Sequence, residues 1–309
     1  LDEAAAEDIP VYAQCAGRAI GIMMCWQGSA NPFMPYPSYL QIAQLPWHER
    51  LEKMKDPGFL RALLSEEPVS VGAFEDWVVQ AYDKMFPLFS GIEYEPDARS
   101  SVAAIAKARG VDPREVVYEA LMQRDGAGML YFPLYNYAGG DLSALHRMHS
   151  HPRTRMGLSD GGAHCGAICD GGMPTFMLTH WTRDRQRGPK LPLEMIVRRQ
   201  TSETAAFYGL HDRGVIAPGY RADINVIDYA KLAFRQPELV HDLPAGGRRL
   251  LQRADGYVAT ICAGEMIYDN GTPTGAMPGK LVRGPQAEPF SPLKMTPRSV
   301  SSSPRQPGL

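Results

Sequence analysis

Apolar and polar positions along the chain change rhythm twice. Helix-period segments and short apolar runs alternate up to about residue 150. A compact apolar run then enters a glycine-rich acidic turn, and beyond residue 212 short strands separated by glycines take over. The opening LDEAAAED predicts the last turns of a helix, and residues 11–15 a strand. VYAQCAGRAIGIMMCW reads as one buried strand with its exit loop. NPFMPYPSY is loop, because Pro32, Pro35 and Pro37 each remove a backbone donor. Short helices are expected over 46–55 and 57–66, and the crowded aromatics of 77–89 suggest an insertion. Longer helices are expected over 97–109, ended by Gly110, and over 112–123. The second opens with Asp112 as N-cap, Pro113 at the first helical position and Glu115 placed for a capping box. MLYFPLYNY predicts a strand, 141–149 a helix closed by Pro152, and TRMGLS a buried strand. The 193–208 segment reads as one amphipathic helix closed by Gly209. GVIAPG, ADINVID and GYVATICAGEMIYDNG then read as strands, with a hairpin at Asn270 and Gly271.

The segment GLSDGGAHCGAICD, which begins at Gly157, carries the candidate chemistry. It delivers Asp160 from the end of an apolar run into a turn that Gly161 and Gly162 make sterically accessible. At a strand's C-terminal end in a β/α barrel, a carboxylate so placed stands on the catalytic face. An aspartate that caps its own turn explains the residue equally well. His164, four residues on, is placed to hydrogen-bond a substrate carboxylate or an oxyanion, or to be satisfied by loop carbonyls. Arg183, in LTHWTRDR with His180 and Arg185, offers a guanidinium for bidentate capture of a carboxylate, or simply a basic helix end.

GLSDGGAH, LTHWTRDR and RRQTSETAAFYGLHDRGVIAPGYRADINVID together resemble the amidohydrolase superfamily, in particular the branch of N-acyl-D-amino-acid deacylases and D-aminoacylase-like enzymes. The resemblance runs from about the first residue to about Arg283 and is most specific over 157–228. It implies an α/β fold: the C-terminal part of a (β/α)8 TIM-type barrel with an insertion over 1–210 and part of a small β-sandwich over 211–285. Beyond it, five prolines and five serines with almost no apolar periodicity make 286–309 a disordered tail or a foreign extension. The resemblance also implies a metal-dependent hydrolase of non-peptide carbon–nitrogen bonds acting on a small-molecule N-acyl amino acid, with zinc as cofactor. Asp160 is then both proton shuttle and metal contact, while His164 and Arg183 remain substrate-binding candidates by their placement.

The rest of the pattern qualifies that expectation. The family's His-x-His pair ends its first barrel strand, whereas His149 and His151 lie between a helix and Pro152 and read as a decoy. Cys165 and Cys169 lack the second pair that a zinc knuckle needs. Zinc takes three or four protein ligands in a catalytic site, so most ligands are expected outside this chain, which alone should be metal-poor and inactive. The opening without Met reads as mid-domain, as a truncation, a processed chain or a split gene would give, and a homo-oligomer or a missing N-terminal portion is expected as partner. A non-catalytic remnant or subunit serving assembly or ligand binding is the alternative. With 309 residues, 44% hydrophobic and a formal charge of −2, the chain has no electrostatic reason to seek nucleic acid or anionic membrane. No segment holds the ~20 unbroken apolar residues of a membrane span. Five cysteines outside a small secreted scaffold suggest reduced thiols and the cytoplasm.

Overall fold

The computed structural model describes residues 1–159 and 164–289; Asp160 and the greater part of the expected tail lie outside the described residues. The chain is a mixed α/β fold. The run expected to be one strand is two, β1 (Ala13–Ala16) and β2 (Ile20–Met24), because the chain turns at Gly17 and Arg18 to change partners. Further along come β3 (Phe86–Pro87), β4 (Leu130–Tyr135) and β5 (Thr154–Gly157). β1 and β5 pair in parallel, Ala13 opposite Thr154 and Ala16 opposite Gly157, so both strands end at the same edge. β2, β4 and β3 form an antiparallel sheet in that order.

Both faces of this second sheet are buried, since alternate side chains leave a strand on opposite sides. Met23 and Tyr131 enter a core with Tyr94, Phe176, Met177 and Trp181. Met24, Leu130 and Phe132 enter another with Trp26, Phe33, Tyr39 and Leu121. Gly21 is required by the close crossing, because a Cβ there would lie 2.4 Å from Cε2 of Tyr131. Helices Trp47–Lys55, Pro57–Ser65, Val102–Arg109 and Pro113–Gly126 surround the second core. The Asp112 capping box is formed as expected, and Gly110 ends its helix in the left-handed region at φ 68°. That helix starts after Ser101 rather than at Asp97, because Asp97 caps a separate 3-10 turn.

The expected helix over 193–208 is broken. Thr201, at φ −125° and ψ −95°, separates Leu193–Gln200 from Ser202–Phe207, and both pieces pack on β5. Strands β6 (Ile224–Ile227), β7 (Ala233–Phe234), β8 (Glu238–Leu243), β9 (Gly247–Leu251), β10 (Ala254–Asp255), β11 (Tyr257–Cys262), β12 (Glu265–Asp269) and β13 (Thr272–Pro273) follow. The order β13-β12-β11-β6 is an antiparallel sheet, and β8–β9 and β7–β10 are antiparallel pairs. Asn270 and Gly271, at φ 45° and 77°, make the expected hairpin turn. A second hairpin turns at Ala263 and Gly264, while GVIAPG forms no strand. Gln286, at the start of the expected tail, bridges to Leu210.

Candidate active site

The shared C-terminal edge of β1 and β5 feeds two segments toward one place. From β5 the chain passes through Leu158, whose φ of 59° is unusual for a residue with a bulky side chain, to Ser159. Asp160 follows, outside the described residues. On the far side His164 also has a positive φ, 51°, so backbone strain flanks the 160–163 segment at both ends. The His164 side chain is exposed, and its carbonyl closes a tight turn by accepting the N–H groups of Ala167 and Ile168 at 2.8 and 2.9 Å.

This turn is stitched down from three directions. Met23 N–H donates to the Ala167 carbonyl at 2.8 Å, Ser29 N–H to Gly166 at 2.8 Å, and Leu250 N–H to Cys165 at 2.7 Å. From β1, Arg18 reaches the end of the same segment. Its Nη1 lies 3.0 Å from Oδ1 of Asp170, its Nη2 donates to the Cys169 carbonyl at 2.7 Å, and its guanidinium lies 3.7 Å from the centre of the Tyr94 ring. The side chains of Arg18 and Asp170 are 1% and 2% exposed. The segment carrying Asp160 is thus held at its far end by a buried ion pair to the exit of the neighbouring parallel strand.

LTHWTRDR is not a loose basic end. Helix Met173–Thr179 continues into a π-helical turn, His180–Asp184, with Trp181 buried. Arg183 donates to both oxygens of Asp184, to the Leu232 carbonyl at 2.7 Å and to the Tyr229 carbonyl. Arg185 does grip a carboxylate in bidentate fashion, but it is the chain's own Glu95, at 3.1 and 3.0 Å. His180 Nε2 is 2.8 Å from Oε2, the oxygen that also accepts from Arg185 Nε, and the Leu142 N–H donates to Oε1 at 2.8 Å. Burial alone would raise the Glu95 pKa; the His180, Arg185 and Leu142 hydrogen bonds outweigh it and hold the group at about 2. His164 and Arg183 are therefore fastened to different neighbours: the His164 turn to β2 and β9, and Arg183 to the 229–232 loop.

His149 is fully buried with Nε2 2.9 Å from the Ala16 carbonyl, and His151 faces Asp2 at 2.9 Å, so the two do not act as a pair. Burial pushes the Cys169 thiol up to about 11, and all five cysteines are free. Among the described residues no group of three His, Cys, Asp or Glu side chains is placed to hold a metal ion. That donor set does not fit the zinc implied by the resemblance.

A cleft of about 760 Å³ opens beside this region, lined by Gly171, Gly172, Thr175, Gln252, Tyr257 and neighbouring strand residues. The Ser159 hydroxyl donates to the carbonyl of Gly171, a lining residue, at 3.5 Å. Local sequence pattern did not single out Arg18, Asp170 or Glu95. Charged residues inside otherwise apolar runs, as in CAGRAIG, were the only available signal, since a buried charge demands a partner.

An amidohydrolase-family model matches residues 90–268, and the chain belongs to that family. It is 29% identical over 178 residues to an uncharacterised protein of Mycobacterium tuberculosis, a match covering 55% of this chain and 28% of the relative. It is 29% identical over 197 residues to an N-acyl-D-aspartate deacylase of Alcaligenes xylosoxydans xylosoxydans, covering 60% and 35%. Among solved structures, a D-aminoacylase aligns at 27% identity and TM-score 0.32 over 57% of this chain and 33% of its own. An N-acyl-D-glutamate deacylase from Bordetella bronchiseptica, complexed with zinc and a phosphonate inhibitor, aligns at 23% and 0.33 over 63% and 37%. The chain spans about a third of the length of the curated relatives it matches.

Proposed function

We propose that this chain is the C-terminal portion of a metal-dependent hydrolase of non-peptide amide bonds, acting on N-acyl amino acids. The observation that carries this reading is the family match over 90–268, which contains the GLSDGG segment that follows β5. In this reading β1 and β5 are adjacent strands of a β/α barrel spanning 1–210, residues 211–285 contribute part of a β-sandwich, and 286–309 form a tail. The names of the relatives, N-acyl-D-aspartate deacylase and D-aminoacylase, favour an acylated D-amino acid as substrate.

Asp160 is the group assigned to proton transfer. A carboxylate beside the scissile bond takes the proton of the attacking water and returns it to the leaving nitrogen, so that one residue serves both halves of the hydrolysis. His164, exposed at the next turn, is assigned to hydrogen-bond the substrate carboxylate or the oxyanion. Arg183 is assigned to the substrate carboxylate, which it would reach by exchanging Asp184 for substrate. The described side chains do not by themselves make a metal site, and ligands from a further polypeptide segment or a second copy would complete one. The five free thiols support a cytoplasmic site of action in this reading.

The test is a panel of N-acetyl and N-formyl amino acids of both hands, assayed on the native gene product with metal content determined on the same sample. Amide hydrolysis with bound zinc, faster for one hand, is the expected outcome. A metal-loaded protein that hydrolyses none of the panel would exclude the substrate class.

A further inference from the structure

A separate cleft of about 340 Å³ lies between the 90–94 loop, the π-helical turn and the 233–236 segment. Three rings give it an apolar wall: Tyr94 meets Phe176 edge-on at 5.7 Å and Phe234 at 6.1 Å, and all three line the cleft. His180 lines it too, its ring fixed by stacking on Phe176 at 4.4 Å and 14°. The tautomer is fixed as well. Glu95 is 1% exposed and bidentate with Arg185, so it is a carboxylate that only accepts; His180 Nε2, 2.8 Å away, must carry the proton. In the neutral ring Nδ1 is then an acceptor, and it makes no hydrogen bond among the described residues.

The charge at this cleft has one sign. Glu93 is exposed on its rim, with one oxygen accepting the Glu95 N–H at 2.7 Å. Asp184 is balanced by Arg183, and no lysine or arginine is among the lining residues. An apolar wall, an imidazole edge whose Nδ1 accepts when the ring is neutral, and an exposed carboxylate with no ion pair among the described residues are the complement of a donor-rich cation attached to an apolar group. The volume lies at the lower end of small-ligand pockets, which run from ~300 to ~1,000 Å³. We propose that this cleft binds a small primary ammonium compound with an aromatic or branched apolar body, its nitrogen between Glu93 and His180 Nδ1 and its body against Phe176 and Phe234.

Titration calorimetry of the whole protein with benzylamine, benzyl alcohol and benzoate at neutral pH tests this. Saturable binding of benzylamine is expected, with benzyl alcohol and benzoate at least about tenfold weaker, the size of one charge-assisted hydrogen bond. Glu93→Gln should weaken benzylamine about tenfold while leaving benzyl alcohol unchanged. Glu93 is exposed, so this variant keeps the fold and the result stands even if a His180→Ala variant, which frees the buried Glu95, does not fold. No saturable binding of benzylamine, equal binding of benzyl alcohol, preference for benzoate, or an unchanged benzylamine affinity in Glu93→Gln would each overturn the proposal.

Discussion

Arg18 and Asp170 form an ion pair closed off from water, Nη1 to Oδ1 at 3.0 Å with side chains 1% and 2% exposed. It joins the exit of β1 to the far end of the segment that carries Asp160. Removing one partner of a buried ion pair costs ~3–5 kcal/mol. Arg18→Met should therefore lower the unfolding free energy in urea by about that amount. A loss under ~1 kcal/mol, the range of exposed pairs, would mean that the pair is solvated in solution.

Glu95 gives the acid limb of stability a definite window. Its folded pKa, about 2, lies below the ordinary 4.5, so its contribution is complete above about 4.5 and is lost as pH falls from there toward about 2. Glu95→Gln removes that contribution, leaving a less stable protein at neutral pH whose stability falls less steeply across the window. Parallel denaturation curves for the two proteins from pH 5 to pH 2 would show this; an unchanged acid limb would remove Glu95 as its source.

His149 should stay neutral well into acid. Burial lowers its pKa to about 4, opposed by the Ala16 carbonyl and assisted by the nearby Arg199. Because the folded value is below the ordinary 6.5, the group contributes stability above 6.5 that is lost as pH falls toward about 4. An NMR titration should place its midpoint near 4 with the proton on Nε2, toward Ala16. A midpoint at or above 6.5 would show that the site is open to water.

Local chemistry made much of the fold legible in sequence. Asp112, Pro113 and Glu115 announced a helix start through cap geometry that depends only on neighbours, and Asn270 and Gly271 a hairpin through backbone angles alone. Thr201 was not legible: the apolar spacing continues across it, and the break serves packing of two short helices on β5. The split of β1 from β2 depends on Arg18 finding Asp170 and Tyr94, and the role of LTHWTRDR on Glu95, 90 residues from Arg185. Such pairings are set by tertiary structure and leave no periodicity to read. The sequence motif alone marks Asp160, and the arrangement around it is seen only from its flanks, Leu158, Ser159 and His164.

If Asp160 moves the proton in amide hydrolysis, Asp160→Asn in the gene product expressed from its own locus should abolish that step. The amide keeps the size of the side chain and removes its capacity to shuttle a proton. With bound metal assayed in parallel, kcat for acyl-amino-acid hydrolysis should fall by ~10²–10⁴-fold while the metal is retained. Near-normal turnover with metal retained would contradict the account.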